Sequence, residues 1–259
     1  DFCSAVDLVI SPSPGMEKVL RQYGVEGHIE VVPNGANLKP FHNAKPFSRP
    51  EFGYKEDDIL LVYAGRIAPE KNMEFLLKAF AGVTGAIPNV YLLIIGGGQK
   101  EHEDDLKRVA GELRIEDRVR FTGMVSKDRL PSYLALGDIF VTASVTEVHP
   151  FSVIEAMATG LPTVGIHSPG VSDSITDGVS GLLSTEDLAA YTAKLTYLCL
   201  NKDLQKRFGA AAREASEQFS IERTTKLMLG HYSRLTQNTK PLKPKFDERL
   251  MSILEEFLK

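Results

Sequence analysis

Apolar positions follow two periods along this chain. Short, near-continuous apolar runs alternate with stretches in which apolar residues return every three or four positions, and that alternation predicts a parallel sheet wrapped by helices. Strands are predicted at 8–11, 29–33, 59–64, 90–95, 119–122, 139–142 and 163–166. The run Ile59-Leu-Leu-Val-Tyr-Ala64 is the clearest, since a strand buried on both faces has no room for polar alternation. Helices are predicted at 16–23, 73–81, 104–113, 130–136, 150–159 and 187–200, with further helix through residue 231. Residues 38–50, rich in Pro, Asn and Lys, read as a linker after the Asn34-Gly35 turn. The expected fold is α/β, a Rossmann-like doubly wound parallel sheet preceded by one β-α-β unit. A last amphipathic helix is predicted from Phe246, Leu250, Ile253, Leu254 and Phe257, spaced i, i+4, i+7, i+8 and i+11. It reads as a closing helix packed on its own protein. Peripheral membrane contact is the competing reading, weakened by Asp247, Glu248, Glu255 and Glu256.

Composition narrows the classes. A chain of 259 residues with 43% hydrophobic content can bury one large core or two small ones. The formal net charge of −4 argues against a nucleic-acid binder, which would carry a basic excess. The two cysteines, Cys3 and Cys199, show no metal-ligand spacing and are expected as reduced thiols. With no membrane-length apolar stretch, the expectation is a cytoplasmic protein, with the inner membrane face as the alternative station. The opening at Asp1 reads as if cut from a longer protein.

Four candidate features fall at the carboxyl ends of predicted strands, where open parallel sheets bind ligands. Gly65-Arg66-Ile-Ala-Pro-Glu70-Lys71-Asn72 puts two cations on one strand-to-helix turn, able to face a single anion. A solvated turn with an Arg66–Glu70 salt bridge is the competing reading. Gly96-Gly97-Gly98 suggests that something packs against bare backbone, a nucleotide or simply a flexible loop. It is not the dinucleotide fingerprint, and no acidic residue follows a second strand in the dinucleotide-binding manner, which argues against a nicotinamide dehydrogenase. Glu147-Val-His-Pro-Phe-Ser-Val-Ile-Glu155 sets two carboxylates beside the anion site, sensible for a ligand dense in hydroxyls. Glu155 could instead serve a helix dipole. Ser168-Pro169-Gly170-Val171 takes meaning only from its place in this series.

Taken together, Gly65-Arg66…Glu70-Lys71-Asn72, the glutamates at 147 and 155, and Glu155-Ala156…Gly160-Leu161-Pro162 resemble the retaining GT-B glycosyltransferases of family four, glycosyl transferases group 1, over residues 8 to about 219. The resemblance implies one half of a GT-B fold. Residues 1–40 would be the remnant of the N-terminal domain and the crossing from it, 41–235 the nucleotide-sugar-binding domain, and 236–259 the tail. Arg66 and Lys71 would neutralise the donor diphosphate, Glu155 would bind the ribose hydroxyls, and Glu147 would hold the donor sugar. The catalytic set would be Arg66, Lys71 and Glu147. Donor contacts would come from Gly65, Gly97, Val125 with Met124, His149, Phe151, Ser152 and Glu155. Val148-His149-Pro150 departs from the family's small or glycine-containing segment, so His149 either touches the sugar or fills space. The implied partner is a nucleotide-diphosphate sugar, UDP-glucose or a related UDP-hexose first and GDP-mannose next. The acceptor is a lipid, a glycan or a small molecule. No metal and no other cofactor is expected, and the chain alone would mainly bind donor. A non-catalytic nucleotide-binding module and another GT-B enzyme, such as a nucleotide-sugar epimerase, are the alternatives.

Overall fold

The computed structural model describes residue 3 and residues 5–238; the amphipathic helix predicted over 246–257 lies outside the described residues. The chain opens with β1 (Val9–Ser11), α1 (Pro14–Gln22) and β2 (Ile29–Val31), then α2 (Lys39–His42). β3 (Ile59–Ala64), α3 (Met73–Ala86), β4 (Val90–Ile95), α4 (Lys100–Glu112) and β5 (Val119–Phe121) follow. α5 (Leu130–Leu134), β6 (Ile139–Thr142), α6 (Phe151–Thr159), β7 (Thr163–Ile166), α7 (Pro169–Ser174) and β8 (Gly181–Ser184) complete the sheet. Helices α8 (Leu188–Cys199), α9 (Lys202–Ser216) and α10 (Ile221–Asn238) close the described chain.

β3 to β8 form one six-stranded sheet, ordered β5-β4-β3-β6-β7-β8 with every pair parallel. The chain winds outward from β3 in one direction and then from β6 in the other. The switch point therefore lies between β3 and β6, where their carboxyl ends part and leave a crevice. The α/β reading holds, and the strand positions follow the apolar runs. β3 shows why. Ile59, Leu61 and Tyr63 enter the core shared with α3, α4 and α8, whereas Leu60, Val62 and Ala64 enter the core shared with α5 and α6. A strand covered on both faces needs apolar residues at every position.

Three elements escaped the periodicity: α2 lies inside the segment read as a linker, α7 grows out of the Ser168-Pro169-Gly170 feature, and β8, Gly181-Leu-Leu-Ser184, holds only two large apolar residues. The linker expected at 38–50 is corrected. Leu38 and Phe41 are buried in the second core, and Arg49 donates to the carbonyls of Asp58 (2.9 Å) and Leu136 (3.0 Å) and to Asp138 Oδ1 (2.9 Å). Asp138 in turn accepts from the Leu60 amide at 2.8 Å, so the segment is tied to the central strand. Its polar residues reflect an exposed side, not a loose connection.

β1 and β2 form a separate parallel pair. Two contacts fix this unit to the larger one. The Gly15 amide donates to Asp173 Oδ2 at 3.0 Å, and Ala36 bridges to Phe219 and Ile221 through bonds of 2.8 and 2.9 Å. Cys3 and Cys199 are both free thiols. Among the described residues no helix is long and apolar enough to cross a membrane.

Candidate functional site

Beyond Ala64 the chain stays extended beside the end of β4. The Gly65 amide donates to the Ile95 carbonyl at 2.9 Å and the Ile67 amide to Gly97 at 3.0 Å. This explains the three glycines and corrects the expectation attached to them. A Cβ on Gly96 would lie 2.1 Å from the Gly65 carbonyl oxygen, and one on Gly98 would lie 2.1 Å from that of Ile67. What packs on the backbone of Gly96 and Gly98 is the neighbouring segment; Gly96 and Gly97 also line a cavity.

The turn after β3 is tighter than a helix start. Residues Pro69–Lys71 form a 3-10 turn, and Asn72 sits in the left-handed region (φ 53°) before α3 begins. Ser144 Oγ donates to the Glu70 carbonyl at 3.3 Å, and Ser168 Oγ donates to the Ser144 carbonyl at 3.1 Å. The loops after β3, β6 and β7 are thereby stitched together. The Ser168-Pro169-Gly170 segment has a positional role too. The Gly170 amide donates to the Glu147 carbonyl at 2.9 Å, and a Cβ on Gly170 would come within 2.6 Å of that oxygen. A glycine here lets the Glu147 loop seat against α7.

These loops bring Lys71 Nζ to 2.6 Å from Glu147 Oε1, with the two side chains 16% and 17% exposed. Arg66, by contrast, is 77% exposed and pairs with Glu70 at 3.1 Å, the turn salt bridge that the sequence allowed. Behind them Tyr63 Oη donates to the Arg66 carbonyl at 2.9 Å. Burial foremost, then the charges of Glu147 and Glu70, pushes its phenol well above the usual range. Lys71, Glu147, Tyr63, His149 and Phe151 line a cavity of about 220 Å³.

A second cavity of about 220 Å³ adjoins it and shares Gly65, Arg66 and Ser152. Its walls carry Gly97, Met124, Val125 and Glu155. Glu155 lies in the second turn of α6, past the reach of a helix N-terminus, so the dipole reading fails. Burial raises its carboxyl to about 7, opposed by the charge of Lys127. The carboxylate expected as ionised is therefore close to half-protonated near neutral pH. Phe151 and Ser152 open α6, and no side chain caps that first turn, which leaves its amide donors for the cleft.

His149 stands at the edge of the first cavity. Its ring meets Phe151 and Phe219 edge-on, each at 5.5 Å between centroids, and neither buried ring nitrogen has a partner among the described residues. Burial lowers its pKa. The residues expected as catalytic or donor-contacting thus all line one two-chambered crevice at the switch point. Tyr63 is an addition, and the contact of Gly170 with the Glu147 loop gives a role to a feature known before only by its place in the series. A tyrosine in an otherwise aliphatic strand run was the signal available for the first; the second depends on a contact between distant loops. A larger cavity, about 320 Å³, lies on the other side of the Pro69–Asn72 turn against α4 and contains none of these expected site residues. Among the described residues no cluster of three His, Cys, Asp or Glu could hold a metal ion.

The family model for glycosyl transferases group 1 matches residues 44–215. The chain is 32% identical over 189 residues to an alpha-monoglucosyldiacylglycerol synthase of Streptococcus pneumoniae, which covers 70% of this chain and 42% of that protein. Among solved structures, a sucrose-phosphate synthase from Thermosynechococcus elongatus superposes with a TM-score of 0.81 at 26% identity, over 92% of this chain and 60% of that one. Anabaena HepE in complex with UDP and glucose superposes with a TM-score of 0.77 at 21% identity, over 88% and 64%, a likeness of fold. The chain spans about half the length of the curated relatives that it matches. With its sheet order, its crevice and this match over most of its length, the chain belongs to the glycosyl transferases group 1 family.

Proposed function

We propose that this chain is the donor-binding half of a retaining glycosyltransferase of GT-B family four, one that moves a hexose from a nucleotide-diphosphate sugar to an acceptor hydroxyl. The observation that carries the reading is the order of groups along the crevice: Glu155 in one chamber, Arg66 at the shared wall, and Lys71 with Glu147 in the other. A nucleotide sugar has the same order of chemistry. Its ribose hydroxyls meet Glu155, its diphosphate meets Arg66, Lys71 and the open first turn of α6, and its hexose meets Glu147. Met124 and Val125 offer apolar surface to the base.

In the reaction the bond between the anomeric carbon and the diphosphate oxygen breaks, and the electron pair leaves on the diphosphate. The acceptor oxygen bonds to that carbon on the same face and releases its proton. Negative charge grows on the phosphate while positive charge grows on the sugar, so cations fixed at the phosphate lower the barrier. Arg66 and Lys71 supply them without a metal in this reading. UDP-glucose or a related UDP-hexose is the leading donor, because a neighbour of the same fold was crystallised with UDP and glucose; GDP-mannose is next. The β1-α1-β2 unit belongs, in this reading, to the N-terminal domain that would present the acceptor.

The test is release of nucleoside diphosphate from UDP-glucose and GDP-mannose by the protein that carries this chain. Release that depends on an added acceptor hydroxyl is expected. Binding without release would make it a nucleotide-binding module, and an inverted sugar carbon with no transfer would make it an epimerase.

A further inference from the structure

Both cations in the crevice already hold an acid. The Arg66–Glu70 pair lies in solvent, where such pairs hold little free energy and open easily. The Lys71–Glu147 pair is different, since both side chains are more than four-fifths shielded from water. A pair this withdrawn is strongly unfavourable when only one half finds a new partner. Any anion that captures Lys71 must therefore leave Glu147 with another donor. The Glu147 main chain is fixed, since its carbonyl is locked against Gly170. Of the wall groups beside it, the Tyr63 hydroxyl is committed to the Arg66 carbonyl, and burial lowers the pKa of His149 and so opposes a second cation there.

We infer that Glu147 is the group by which the crevice tells an intact nucleotide sugar from the free nucleoside diphosphate. The inference rests on the donor reading above. When the sugar nucleotide enters, its diphosphate takes Lys71 and its hexose hydroxyls donate to the vacated carboxylate, so both halves of the opened pair are satisfied. When the nucleoside diphosphate binds alone, its terminal phosphate takes Lys71 and strands Glu147 beside a second anion. Closure of the 2.6 Å pair then competes with the spent nucleotide and helps to expel it. The discrimination comes from charge rather than from shape.

Calorimetric titration of the chain with UDP against UDP-glucose, and GDP against GDP-mannose, tests this. Glu147→Gln is expected to bind the matched free nucleotide about tenfold more tightly, equivalent to roughly 1.4 kcal/mol, and the sugar nucleotide no more tightly. Glu70→Gln should shift both affinities of a pair by the same factor. Saturating free hexose should tighten nucleoside diphosphate binding to the unmutated chain, a second readout that needs no variant to fold. An unchanged ratio in Glu147→Gln, with Lys71→Ala still abolishing binding, overturns the inference and leaves the donor reading standing. If neither pair binds, or Lys71→Ala binds as well as the native chain, the donor reading falls and the inference with it.

Discussion

The two chambers of the crevice each carry a glutamate, and the two carboxyls live under opposite conditions. Glu147 is met by a lysine at 2.6 Å, while burial, only partly opposed by the charge of Lys127, drives Glu155 up to about 7. Both face cavities of about 220 Å³. The difference shows that the chemistry of a carboxylate in a cleft is set by what the neighbouring loop delivers to it. The loop after β3 carries Lys71 into contact with Glu147, whereas Glu155 shares its chamber with glycines, Met124, Val125 and Arg66, and Arg66 pairs with Glu70 instead. One carboxylate is poised to exchange partners, and the other is poised to exchange a proton.

The sharpest way to break this contrast is to remove the cation. Lys71→Ala is expected to lower transfer by about 100- to 1000-fold, the usual cost of losing a fixed charge at the leaving group. The fold should persist, which circular dichroism would show; turnover within a few-fold of native would sink the role given to Lys71. The backbone beside the other chamber offers the next test. Gly98→Ala forces a Cβ to within 2.1 Å of the Ile67 carbonyl and should cost about 2–3 kcal/mol in urea unfolding, as overpacked backbone contacts do. A neutral result would mean that the segment 65–67 can move off β4.

The smallest expected effect separates the glutamates by pH. The Glu155 carboxyl rises from an ordinary 4.5 to about 7 on folding, so the fold favours its neutral form. Its stability contribution is full below about pH 4.5 and is lost as pH climbs to 7 and beyond. The loss should be about 1–2 kcal/mol once partial exposure is discounted. Glu155→Gln should flatten that decline when unfolding is compared at pH 5 and pH 8. An equal decline in the variant would place the titration elsewhere.

Much of this site was legible beforehand for a local reason. Residues that follow a buried strand in a doubly wound sheet must emerge at its carboxyl edge, so Gly65, Gly97 and Glu147 could be assigned to one rim from strand positions, and the family resemblance added Val125. What failed was anything that depended on a second segment. The glycines at 96 and 98 answer to the backbone of residues 65–67 and not to a ligand. The polar stretch at 38–50 hid Leu38, Phe41 and the anchoring of Arg49. His149 was ambiguous in sequence, and its two partnerless nitrogens between Phe151 and Phe219 became visible only once those rings were in place.

The sequence by itself determined the sheet, because strands buried on both faces must be apolar throughout, and it determined which residues reach the rim. Tertiary structure alone decided how those residues are paired. Lys71 and Glu147 are 76 residues apart, and their 2.6 Å contact exists because three loops are stitched through Ser144, Ser168 and Gly170. Electrostatic partnership falls off over a few ångströms, and no spacing along a chain encodes a distance that short between loops that fold from different strands.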